Sequence, residues 1–175
     1  MKVISLIRLF AVPVVAVALC TGARAADNDL SKMDKTFVQK AGIGGMFEVE
    51  SGKVAQQNAD SQDVKDFGAK MVEDHGKAAA ELKSICDAKG VALPSALDST
   101  HQDMLDALKT KTGKSFDKLY LSDMTKAHNG DDKLFMKEAS SGTDADLKAF
   151  ADKTDKNVVK MHIAMLKDIK SKMMK

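Results

Sequence analysis

The chain has 175 residues, 44% hydrophobic and 30% charged, with a formal charge of +2. That balance is globular and points to one domain. One Tyr, no Trp, two Pro and 11 Gly argue against a sandwich or barrel, which turns every ~8–12 residues, and no GxGxxG, Walker, GxSxG, CxxC or HExxH motif is present.

Residues 1–25 read as a secretory signal. Lys2 and Arg8 give the positive start, residues 9–20 an apolar run, and Ala23-Arg24-Ala25 a small-x-small cleavage pattern. The run is shorter than the ~20 residues of a membrane span, which weighs against an uncleaved anchor. Cys20 raises a lipoprotein alternative, but Leu19 stands where lipoprotein processing wants a small residue. Cleavage leaves residues 26–175 as the mature domain, exported and periplasmic in a Gram-negative cell. Losing Lys2, Arg8 and Arg24 leaves 24 basic against 25 acidic residues and no Arg. Without the bidentate clamp for phosphate and guanine, nucleic acid is a poor partner. The one remaining cysteine, Cys86, reads as a buried small hydrophobe, with an intermolecular disulfide as the other reading.

The mature chain predicts four long helices. The first, capped by Ser31, runs to about Ala59 with Phe37, Ala41, Gly44, Gly45, Glu48, Gly52 and Ala55 on one stripe. Its glycines predict close packing. Asp60-Ser61 breaks and recaps the chain. The second stripe is Val64, Phe67, Met71, His75, Ala78, Leu82 and Ile85, ending at Gly90. Residues 91–114 form a connection containing Pro94 and a short helix after Thr100. The third long helix, capped by Ser115, carries Phe116, Tyr120, Met124 and His128, with Gly130 as a candidate kink. Thr143 and Asp146 resemble a capping box for the fourth, which carries Leu147, Phe150, Thr154, Val158, His162, Met165 and Ile169.

The first and last links are too short for anything but antiparallel hairpins. The middle link, with ~12 helical and ~12 extended residues, can span a ~40 Å bundle. The expected fold is all-α: a ferritin-like four-helix bundle with a long second crossover containing a short helix. An up-down bundle with a floppy excursion is the alternative.

Phe47-Glu48-Val49, Phe67-Gly68-Ala69-Lys70-Met71-Val72-Glu73-Asp74-His75, Phe116-Asp117-Lys118-Leu119-Tyr120, His128 and His162 together resemble a bacterial exported ferritin-like family, domain-of-unknown-function family 4142, often labelled outer-membrane or periplasmic. The resemblance spans residues 34–170. It implies a ferritin-like fold and export, and no activity. The outer-membrane label finds no barrel-strand pattern here and no apolar span in the mature chain.

Each long helix places one strong ligand type on its stripe near mid-height: Glu48, His75, His128 and His162. Together they suit one Zn, Fe or Mn ion, with Asp74 and Tyr120 as outer groups. The competing reading is a metal-free polar layer in which Glu48 accepts from neutral imidazoles. Di-iron chemistry fits poorly, because the residues three before the histidines are Val72, Thr125 and Val159 rather than glutamates. Met71, Met124, Met161 and Met165 flank the histidines and would suit copper, but methionine is a common core filler, so copper is the weaker choice. His101 reads as a surface residue without a partner. Asp131-Asp132 are sequence neighbours that diverge on a helix. Whether the protein is an enzyme stays open. The function read from the sequence is an exported bundle with a metal site of unknown activity, and the alternative is a metal-free structural or interaction module tied to stress.

Overall fold

The computed structural model describes residues 30–173. It is an all-α bundle: α1 (Lys32–Asn58), α2 (Gln62–Ala88), α3 (Ser99–Lys109), α4 (Gly113–Ser141), α5 (Ala145–Thr154), a π-helical turn (Asp155–Val159) and α6 (Lys160–Met173). The last three run on as one fourth long helix. Residues 59–61 and 142–144 make two tight turns, and residues 89–112 form the crossover that carries α3 along α1. The order short, long, short is the one the link lengths predict. The candidate signal peptide lies outside the described residues.

Helix ends follow local chemistry. Ser31 and Asp34 form a reciprocal capping box at the start of α1. Gly90, at φ 66°, ends α2. Val91 N–H donates to the Cys86 carbonyl at 2.9 Å and Gly90 N–H to that of Asp87 at 3.1 Å, the paired bonds of a Schellman stop. Other sequence expectations are corrected. α4 starts at Gly113, so Ser115 lies inside it and its hydroxyl donates back to the Thr112 carbonyl. Asp144, not Thr143, caps α5, accepting from the Asp146 and Leu147 N–H groups. Gly130 does not interrupt α4.

Both tight turns are tied by a buried aspartate from the opposite hairpin. Asp117, near the start of α4, accepts from the Asp60 and Ser61 N–H groups at 3.0 and 2.9 Å. Ser61 makes no side-chain cap of its own. Asp34, in the first turn of α1, accepts from Thr143 N–H at 2.9 Å and from its hydroxyl. Lys89 adds ion pairs to Asp144 and Asp146 at 2.8 and 2.7 Å.

The core is two apolar clusters. One holds Phe47, Val64, Phe67, Met71, Leu108, Phe116, Tyr120, Met124, Leu166 and Ile169. The other holds Phe37, Val38, Leu82, Cys86, Phe135, Leu147 and Phe150. Each such side chain contributes about 1.5–3 kcal/mol when fully buried. Cys86 is unpaired and buried in the second cluster, as a small hydrophobe would be. Close helix approach occurs at Gly52 and Gly68 rather than at Gly44 and Gly45: a Cβ on Gly52 would stand 2.7 Å from the Gly68 carbonyl oxygen.

The π turn is not foreseen by a uniform helical stripe. The Lys160 N–H reaches back to the Asp155 carbonyl, five residues away. The extra residue moves the inward register from Val158 to Val159 and from Met165 to Leu166, both nearly inaccessible, and His162 lies inside on either register. Such turns recur at functional sites.

A histidine layer between the two clusters

Along α2, α4 and the fourth long helix the histidines fall between the two clusters, and on α1 Glu48 follows Phe47 at the edge of the first. His128 and His162 are wholly buried, His75 is 5% exposed and Glu48 3%. α1 supplies Glu48, α2 the adjacent Asp74 and His75, α4 His128, and α6 His162. The four predicted residues therefore meet in one layer.

Each imidazole has one ring nitrogen committed outward. His75 Nδ1 faces Glu48 Oε2 at 2.9 Å. His128 Nδ1 donates to the Met124 carbonyl at 3.0 Å and stands 3.4 Å from Glu48 Oε1. His162 Nε2 donates to Asp74 Oδ2 at 2.9 Å. The Met124 carbonyl and the ionised Asp74 only accept, so they place the protons of His128 and His162 on the outward nitrogens, and His75 follows the same pattern when Glu48 is ionised. The inward nitrogens then carry bare lone pairs. His162 Nδ1 lies 3.2 Å from His75 Nε2 and 3.2 Å from His128 Nε2. All three lie within 4.8 Å of one another, close enough to share one ion.

Burial lowers the pKa of all three histidines to about 4, so they are neutral at ordinary pH. Burial pushes Asp74 up, but Lys70 Nζ at 2.8 Å and His162 outweigh it and hold Asp74 below its usual range. Asp74 is thus an ionised acceptor that orients His162 and leaves its Nδ1 without a proton.

Glu48 stands behind His75 and His128, against their Nδ1 atoms, rather than among the three inward nitrogens. Its second neighbour is Asp131, which sequence reasoning set aside. Glu48, His128 and Asp131 form a second group with ligand atoms within 4.8 Å. Burial raises the pKa of both carboxyls, and the Glu48 charge lifts Asp131 further, so the pair retains a proton that isolated carboxylates would lose. The signal for Asp131 was its position three residues after His128, on the same helix face.

Tyr120 is fully buried, stacked on Phe116 at 5.4 Å and edge-on to Phe67 at 6.2 Å. Its hydroxyl has no hydrogen-bond partner among the described residues, so it does not bond to any of the histidines. Phe67 also packs its ring against His162 and His128, with centroids 5.6 and 6.4 Å apart. Met71 and Met124 fill the first apolar cluster. The Ser51 hydroxyl lies 3.8 Å from Met124 Sδ. His101 is not partnerless: its Nδ1 meets Asp98 Oδ1 at 2.7 Å, and its ring lies 5.4 Å from that of Phe47.

No helix among the described residues is long and apolar enough to cross a membrane. The fold and the site thus define an all-helical bundle with a buried three-histidine layer. The chain belongs to the DUF4142 family, a domain of unknown function, whose model matches residues 20–169. It is also similar in fold to a crystal structure of a DUF305 protein from Streptomyces coelicolor, described as secreted. That likeness has a TM-score of 0.66 at 16% identity, over 78% of this chain and 91% of the other. No curated protein matches the chain.

Proposed function

We propose that the protein is an exported, ferritin-like metal-binding bundle, cleaved near Ala25, whose mature domain spans residues 26–175. One Zn, Fe or Mn ion is held by His75 Nε2, His128 Nε2 and His162 Nδ1. Glu48, Asp74 and the Met124 carbonyl fix the tautomers from behind. The observation that carries this is the convergence of three unprotonated nitrogens. Three lone pairs at this spacing repel unless a cation sits among them. Two nitrogens bound to one ion at ~2.0–2.1 Å, at tetrahedral angles, stand about 3.3–3.4 Å apart, and the two spacings here are 3.2 Å.

Three histidines leave a coordination position open, the pattern of a reactive rather than a purely structural centre. When bound, such an ion supplies Lewis acidity. The protein residues hold it, exclude water through the apolar clusters and set the imidazole tautomers. Glu48 supports the site from outside, a change from the four-ligand set expected from the sequence. Export is supported by the signal-like residues 1–25 and by the description of the structural neighbour as secreted. The metal-free reading requires one proton between the rings in place of the ion, supplied either by a cationic His162 or by a protonated Glu48 that turns His75 to its Nε2–H tautomer.

Elemental analysis of protein purified without chelator or nickel resin, followed by zinc, iron and manganese titrations, tests this. One ion per chain is expected. At 100 times its dissociation constant it would stabilise the fold by ~2.7 kcal/mol. His162→Ala should weaken binding more than the ~10–100-fold typical of an outer partner, and His101→Ala should leave it unchanged. Substoichiometric metal with no stabilisation by any ion would return the layer to the metal-free reading, in which the bundle acts through contacts with other molecules.

A further inference from the structure

Beside the histidine layer, α1, α2 and the α4–α5 hairpin enclose a cavity of about 390 Å³, within the range of small-molecule sites. Val49, Leu82, Leu93, Phe135 and Phe150 are among its apolar walls. Its mouth lies by the exposed Ala79, Ala80 and Lys83, and the buried Glu48 and His75, with Asp131, line its inner end.

Two observations indicate a built site. Gly45 and Gly76 both line the cavity, and a Cβ on either would meet nothing within 4 Å. Neither has a positive φ. A glycine inside a helix costs up to about 1 kcal/mol relative to alanine. Gly52 and Gly68 repay that cost with close packing, and these two do not; what they leave is space. The second observation is Glu48 Oε1, a buried acceptor at the inner end to which no N–H or hydroxyl group donates among the described residues; the one proton shared with Asp131 still leaves the pair rich in acceptors. Leaving such an atom unpaired costs about 1–3 kcal/mol or more.

The inner end asks for a donor. Its His75 Nδ1–H is already taken by Glu48 and its Nε2 is turned toward His162. Glu48 and Asp131 add acceptor oxygens. The one lysine lining the cavity, Lys83, is at the mouth and pairs with Asp87 at 2.6 Å. We propose that this cavity binds a small amphiphilic amine, with its apolar body between α1 and α2 and its ammonium group donating to Glu48. An anionic head would meet two carboxyl groups with no cation to offset them. The proposal does not depend on a bound metal, because the cavity and Glu48 Oε1 belong to the protein alone.

Three probes with one body and different heads test it: 4-phenylbutylamine, 4-phenylbutan-1-ol and 4-phenylbutyrate. Each is titrated into the purified protein, chelator-treated and metal-loaded, with binding read from NMR shifts of cavity residues. The amine should bind at least about tenfold more tightly than the alcohol, from one added charge-assisted bond, and the butyrate should not saturate. Gly45→Leu and Gly76→Leu should each keep a cooperative thermal transition and weaken the amine by at least about tenfold, since the new side chain fills the space. Glu48→Gln should abolish the preference for amine over alcohol. Equal binding of amine and butyrate overturns the proposal. So does unchanged binding in both folded glycine variants, or self-association that shifts the same residues without ligand and excludes the amine. Amine binding without any metal binding would leave this site standing and remove the metal reading; metal binding without amine binding would do the reverse.

Discussion

His162 Nε2 donates to Asp74 Oδ2 at 2.9 Å, and Asp74 Oδ1 receives Lys70 Nζ at 2.8 Å. The second bond gives the first its direction. With its other oxygen held by an ammonium group, Asp74 stays ionised and can only accept, so the His162 proton resides on Nε2 and Nδ1 is left bare.

Asp74→Asn keeps the shape and removes that charge. An amide can accept or donate, so His162 is no longer confined to one tautomer. Metal affinity should fall about 10–100-fold, with the helical content unchanged. Isothermal titration against wild type measures this. An unchanged affinity would deny Asp74 its orienting role.

Acid should weaken the ion-free fold. The three histidines stay neutral in the folded state down to about 4, whereas in the unfolded chain they take up protons near ~6.5. Between those values the unfolded state binds more protons, so stability drops as pH falls, by up to ~1.4 kcal/mol per unit for each histidine. Urea melts in the presence of chelator, from pH 7 to pH 5, should show a decreasing midpoint. A level profile would mean that the layer already holds its extra proton at pH 7.

Glu138 works in the opposite direction. It is 1% exposed. Burial first, and then the neighbouring Asp34, raise its pKa to about 7. Hydrogen bonds from Thr143 and Ser31 outweigh burial at Asp34 and hold it below the usual carboxylate range. The Glu138 contribution is therefore complete below ~4.5 and is lost as pH rises through about 7. Glu138→Gln keeps a neutral donor at every pH. It should match wild type near pH 5 and exceed it by at least ~1 kcal/mol at pH 8. Parallel melts of the two proteins at both pH values check this, and equal stability at pH 8 would contradict it.

The glycines should separate by sign. Gly52→Ala forces a methyl group to within 2.7 Å of a backbone oxygen on α2, and overpacking of this kind costs about 1–3 kcal/mol. Gly45→Ala meets open space and should gain up to about 1 kcal/mol of helix propensity. Thermal melts of the two variants should move in opposite directions.

The bundle was readable because link lengths restrict how helices can be connected, and 24 residues between the second and third long helices permit a crossing that three residues do not. Glu48, His75, His128 and His162 were readable because polar ligand types on apolar stripes stand out. Which edge of an imidazole a carboxylate meets depends on side-chain rotation, so the place of Glu48 behind the rings was not. Asp131 was masked by Asp132 beside it, because the two were weighed as a pair and sequence neighbours diverge on a helix. The π turn escaped because a helical stripe assumes a constant 3.6 residues per turn. His162 lies inward on either register, and the slip shows instead in its neighbours, where Val159 and Leu166 are buried in place of Val158 and Met165.

Asp34 and Asp117 have a consequence for how the domain comes apart. Each closes a turn that belongs to the other hairpin. A hairpin peeled away alone would leave backbone N–H groups unpaired at both ends of the bundle, its own and those that its aspartate had accepted from. Partial opening is thereby penalised twice, and the two halves are bound into one cooperative unit. In hydrogen exchange, the amides of Ser61 and Thr143 should therefore open in the same event as the central turns of α2 and α4, despite lying in short surface connections. Protection that is usually the mark of a helix interior would extend to the turns themselves.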